Sequence, residues 1–106
     1  MNPPHASCVT FILELLQKIV PDGMHVRVQL PLVLNLYTDP FPDIAIIRGT
    51  SRDFTKKHPT TAALVIEVSD TTINIDTGEK AALYAAAGIA DYWVLDITEQ
   101  IGRAHV

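Results

Sequence analysis

A single α/β (α+β) domain is predicted, running helix-strand-strand-strand-helix-strand with helices flanking a mixed central sheet. Three observations predict it. Apolar residues recur at helical spacing from His5 to Val20, and side chains alternate with period two from His25 to Leu36. The β-branched run LVIEVS, Leu64 to Ser69, is followed by an alanine-rich helical stretch and a last apolar strand. With 106 residues, 48% of them hydrophobic, the chain has material for one core and no more. We assign residues 1–100 to that domain.

The first helix places Cys8, Ile12, Leu15, Leu16 and Ile19 at helical spacing, and Pro21-Asp22-Gly23 ends it. Pro3 and Pro4 are tolerated at its start, where a missing N–H costs little. In the next stretch Val26, Val28, Leu30, Leu32, Leu34 and Leu36 alternate with polar or small positions, which predicts one long strand with a buried face. Pro31 cannot donate a ladder hydrogen bond and marks an edge or a bulge on that strand. A turn at Thr38 to Pro42 leads into a second strand, Asp43 to Ile47, so the pair reads as a hairpin.

Arg48 to Pro59, RGTSRDFTKKHP, is the basic segment of the chain and reads as a surface loop. A solvated connection is the preferred reading, with phosphate contact beside a nucleic-acid site as the functional alternative. Leu64 to Ser69 forms the central strand. Asp76 and Glu79 have capping-box spacing, and the helix they open runs through KAALYAAA to Gly88. Ala90 to Ile97, ADYWVLDI, is the last strand. The final residues 101–106, IGRAHV, are what ATCGGAAGAGCACACGTC encodes, a string that matches a common sequencing adapter, so they are set aside as a non-native tail.

Composition narrows the function. The chain has no apolar run long enough to span a membrane and no secretory pattern at its start, which favours the cytoplasm. The lone Cys8 forms no internal disulfide and reads as a small buried hydrophobe. A formal net charge of -4 argues against sequence-independent DNA affinity through a broad basic surface, while allowing a local basic patch.

The chemistry concentrates on Glu67. An ionised carboxylate in an apolar strand costs several kcal/mol unless a cation, a metal or hydrogen-bond donors compensate it. Asp43, opening the neighbouring strand, and Lys80, on the following helix, are the candidate partners. A plainer reading pairs Lys80 with Asp76 as a surface ion pair, which contributes only tenths of a kcal/mol. His5, near the start of the first helix, reads on its own as a solvated or backbone-bonded histidine. Ser69 lacks a neighbouring histidine and a G-x-S-x-G turn, so a serine hydrolase is poorly supported.

Taken together, PD opening one strand, EVSD ending another, and DTGEKAALYAAAGIADYWVLD after it resemble the Uma-two family of restriction endonucleases, within the PD-(D/E)XK nuclease superfamily. The resemblance covers about His5 to Ile97 and implies a restriction-endonuclease-like fold. It further implies that Asp43 is the metal-binding aspartate, that Glu67 is the acidic residue of the D/E-x-K motif, and that the Val68 carbonyl is a third ligand. Such oxygen ligands suit Mg²⁺, with Mn²⁺ as the alternative ion. The superfamily's usual lysine would stand at Ser69, and Lys80 from the helix is expected to substitute for it. His5 resembles a histidine of the family's first helix, without an assigned role.

Family members usually carry more chain before the first helix, including an acidic residue, and further strands after YWVLD, so a fragment truncated at both ends is expected. The implied activity is metal-dependent hydrolysis of DNA phosphodiester bonds by Asp43, Glu67 and Lys80. The competing expectation is a non-catalytic fold kept for dimerisation or partner binding. A homodimer is a further expectation, because the missing C-terminal strands would leave a sheet edge and apolar surface that need cover and because, by the resemblance, many restriction-type nucleases cut as dimers.

Overall fold

The computed structural model describes residues 3–35, 37–69, 77–96 and 104–105. In chain order these form α1 (Pro3–Ile19), β1 (Met24–Val28), β2 (Ile44–Arg48), a 3₁₀ turn (Ser51–Phe54), β3 (Leu64–Ser69), α2 (Thr77–Ala86), β4 (Asp91–Asp96) and β5 (Ala104–His105). The strands lie in sequence order in one mixed sheet. β1, β2 and β3 pair antiparallel, β4 joins β3 in parallel through the α2 crossover, and β5 adds two antiparallel residues to β4. β5 falls within the segment set aside as a tail. Among the described residues, no helix is long and apolar enough to cross a membrane.

Because side chains alternate across a strand, the sheet has two apolar faces. On one, Ile44, Ile66 and Val68 are buried under Val9 and Leu16 of α1, with Cys8, Ile12, Val26, Val28, Trp93 and Leu95 packed around them. On the other, Ala45, Ile47, Val65, Tyr92 and Val94 meet Tyr84 of α2, and Leu32, Ala62 and Ile89 complete the core. Gly88 ends α2 at φ 81 and lets Ile89 N–H reach back to the Tyr84 carbonyl at 3.0 Å, the helix stop predicted from sequence.

The strand predicted over His25 to Leu36 is shorter than its alternation suggests. β1 ends at Val28, because Gln29 sits in the left-handed region at φ 53 and breaks the pleat. A continuous strand would aim Leu30 and Leu32 at the α1 side with Val26 and Val28. Instead Leu30 is exposed, and Leu32 is wholly buried in the opposite core. From there the chain folds back on itself, with Leu32 N–H donating to the Pro40 carbonyl at 2.9 Å and Leu34 N–H to that of Thr38 at 3.1 Å. Leu36 lies outside the described residues. The hairpin survives as β1–β2, and between the two strands Leu32 and Leu34 pack into the core on the α2 side.

Candidate functional site

The register of β2 and β3 pairs Ile44 with Ile66, so Asp43, one residue earlier, stands opposite Glu67, one residue later. Glu67 shares the α2 face with Val65, whereas the Asp43 carboxylate, just ahead of β2, turns toward Val68 N–H and the first turn of α1. On the other flank Gln29 N–H donates to the Asp43 carbonyl at 3.0 Å, and on β4 the residue beside Glu67 is Val94. Pro42, fully buried, fixes the chain as it enters β2. The Asp43 carboxylate is tied down from two elements: Oδ2 accepts Val68 N–H at 2.8 Å and His5 Nε2–H at 3.2 Å. Both side chains of the His5–Asp43 pair are mostly buried, at 17% and 13% exposure. α1 thus reaches the site through its first turn.

Glu67 is where the electrostatics concentrate. Burial pushes its pKa up from 4.5 to about 7; the Lys80 charge opposes this, the Asp43 charge adds to it, and hydrogen bonds from the Tyr84 hydroxyl and the Asp43 backbone N–H lower it. The Tyr84 hydroxyl donates to Glu67 Oε1 at 3.3 Å. Lys80 is exposed one helical turn before Tyr84 and acts on Glu67 through space. Asp76, expected as helix cap and as the rival partner of Lys80, lies outside the described residues.

Beneath Glu67 two aromatic rings pack together, Tyr84 against Tyr92 with centroids 4.9 Å apart. Burial, with the Glu67 charge next, raises the Tyr84 phenol well above its usual range and pushes Tyr92 up to about 12. The Tyr92 hydroxyl is buried without a hydrogen-bond partner among the described residues. Sequence reasoning gave neither tyrosine a role. The available signal was the i, i+4 spacing of Lys80 and Tyr84, which puts both on one helix face.

Ser69 shares the face of Glu67, is 6% exposed, and pairs in register with Asp96 of β4. Val68 buries its side chain in the α1 core while its backbone serves the site. The basic loop leaves β2 at Arg48, the end of the strand remote from Asp43, so most of it does not border the carboxylates.

Among the described residues no group of three His, Cys, Asp or Glu side chains is arranged to hold a metal. The donors expected from the sequence are the Asp43 and Glu67 carboxylates and the Val68 carbonyl, which leaves the strand on the same edge as the N–H that binds Asp43. Hard oxygens of this kind have the donor chemistry that Mg²⁺ takes.

Comparisons with known proteins bear on the fold and the family. No curated protein matches the chain. A solved structure titled a putative nuclease belonging to DUF820, from Anabaena variabilis ATCC 29413, superposes with a TM-score of 0.70 at 11% identity, covering 99% of this chain. At that identity the likeness shows the fold alone, and the chain spans 63% of that protein's length. The model of the Uma2 family, described as "Putative restriction endonuclease", matches residues 1–103, and the chain therefore belongs to that family.

Proposed function

We propose that the chain carries the site of a metal-dependent endonuclease that hydrolyses DNA phosphodiester bonds. The observation that supports this best is the facing of Asp43 and Glu67 across β2 and β3, with Glu67 held near neutrality by burial and by Asp43. Asp43, Glu67 and the Val68 carbonyl would hold Mg²⁺, or Mn²⁺ in its place. When bound, the ion supplies a Lewis acid that polarises a phosphate oxygen and lowers the pKa of an attacking water. The chain's own groups do the positioning. His5 and Val68 N–H fix the Asp43 carboxylate, Tyr84 fixes that of Glu67, and the Lys80 ammonium orients water or offsets developing negative charge.

Conversion of supercoiled plasmid to nicked or linear DNA, with Mg²⁺ or Mn²⁺ added, tests the reading. Wild type should cut, Asp43→Ala should not, and Lys80→Ala should lose at least about 100-fold in rate while still binding the ion. Equal cutting by wild type and Asp43→Ala would show a contaminating activity and sink the reading.

One observation favours the non-catalytic alternative. Phe11, Leu15 and Ile19 form an exposed apolar stripe at i, i+4, i+8 along α1, beside the residues that pack on the sheet. If the fold serves dimerisation, light scattering should give twice the chain mass, and Leu15→Glu should restore the monomer.

A further inference from the structure

We infer that Arg27, with His58, forms a phosphate-binding site for the nucleic-acid backbone on the flank of the carboxylate pair. The identity of the ligand as nucleic acid rests on the function proposed above; the site itself rests on the following geometry. Arg27 lies on β1 opposite Ala45, on the α2 face of the sheet. At ~4.8 Å between strands and ~3.3 Å per residue, its Cα is about 8 Å from that of Asp43. Its guanidinium has no carboxylate partner among the described residues. Nη2 donates to the Pro31 carbonyl at 3.4 Å and to His58 Nδ1 at 3.2 Å, both neutral acceptors, and Nε is buried without a partner.

A half-buried guanidinium without a counter-charge has lost solvation that only an anion would restore in full. The neighbouring chemistry supplies further donors. Since an arginine can only donate, His58 accepts at Nδ1 and carries its proton on Nε2, which makes that edge a second donor. Lys56 and Lys57 stand exposed just before it. The loop's one acidic residue, Asp53, is already engaged: its Oδ2 accepts Thr50 N–H at 2.8 Å and the Thr50 hydroxyl at 3.4 Å. The result is a local cationic site on a chain of net charge -4. Phosphodiester oxygens are the fitting ligand, because the fork of Arg27 matches them and the flanking lysines follow a backbone. A strand lying across Asp43 and Glu67 would present a phosphate to Arg27 about two to four nucleotides away, at ~3.4 Å of rise each.

The test is fluorescence anisotropy of a short labelled DNA duplex with the full chain in EDTA, so that cleavage plays no part. Arg27→Gln should weaken binding roughly three- to tenfold at ~0.1 M salt and lower the salt slope by about 1. His58→Gln and Lys56→Gln with Lys57→Gln, at exposed loop positions, should weaken it too, and they decide the matter if Arg27→Gln does not fold. Inorganic phosphate should displace duplex from wild type more effectively than chloride at equal ionic strength, and lose that advantage on Arg27→Gln. Folded variants that bind with wild-type affinity and slope would overturn the proposal, as would a chain that takes inorganic phosphate at Arg27 but no duplex. Arg27-dependent binding without any metal-dependent cleavage would refute the endonuclease reading and leave this site standing.

Discussion

Asp43 and Glu67 are interlocked across two strands: the backbone N–H of Asp43 donates to the Glu67 carboxylate, while the Asp43 carboxylate accepts the N–H of Val68 beside it. Neither side chain can turn away without releasing a donor of the other's strand. Burial, opposed by the Lys80 charge and reinforced by that of Asp43, keeps the Glu67 proton to about pH 7. In the unfolded chain Glu67 would lose its proton near 4.5, so between that pH and about 7 the folded state holds more protons. The favourable contribution is therefore complete below 4.5 and disappears as pH rises through 7. Chemical denaturation of the metal-free protein should show stability declining by up to about 3 kcal/mol from Glu67 over this window.

Replacing Glu67 by glutamine separates charge from shape. The amide cannot ionise, so at pH 8 the metal-free variant should be more stable than wild type by about 1–3 kcal/mol, and the decline between pH 4.5 and 7 should flatten. Cleavage and ion binding should be lost in the same variant. Urea melts at pH 5 and pH 8 give the comparison, and a variant less stable than wild type at pH 8 would contradict the electrostatic account.

Tyr84→Phe removes a hydroxyl and leaves the ring, which packs at 1% exposure in the α2-side core. Glu67 loses a donor that lowers its pKa, so its titration, followed by NMR of the side-chain carboxyl, should move above 7. The stability cost should be about 0.5–1.5 kcal/mol and larger at pH 8 than at pH 5, because the bond is stronger to the ionised carboxylate.

Leu32 tests the fold in the region where the sequence misled. It lies outside any strand, beyond the left-handed Gln29, yet it is fully buried against Tyr84 and Ala62. Leu32→Ala should cost about 2–5 kcal/mol, whereas Leu30→Ala, at an exposed position two residues earlier, should stay within about 0.5 kcal/mol. Similar losses at both positions would restore the continuous strand.

That region also shows how much the sequence makes legible. Leu64 to Ser69 is found with the ends read from its composition, because a short apolar run between turn signals has few other solutions. α1, β2, α2 and β4 lie within two residues of their expected bounds. The break at Gln29 carries no local signal, since a positive φ is announced by glycine or asparagine and here falls on neither. Pro31, read as an edge or bulge, was the only hint. At the site, Asp43, Glu67 and Lys80 stand out as polar residues in or beside apolar elements, whereas His5, read on its own as solvated or backbone-bonded, is found mostly buried on the Asp43 carboxylate. Tyr84, Tyr92 and Arg27 do not, because aromatic residues in a core and an arginine on an alternating strand are ordinary until their partners are known.

The most direct test of the central claim is calorimetric titration of Mn²⁺ into the full chain at pH 8, where Glu67 is ionised. Wild type should bind one ion with release of few protons, release more as the pH is lowered through 7, and lose binding in both Asp43→Ala and Glu67→Gln while Lys80→Ala retains it. Wild type that binds no ion, or binding unchanged when Asp43 and Glu67 are replaced, would contradict the account.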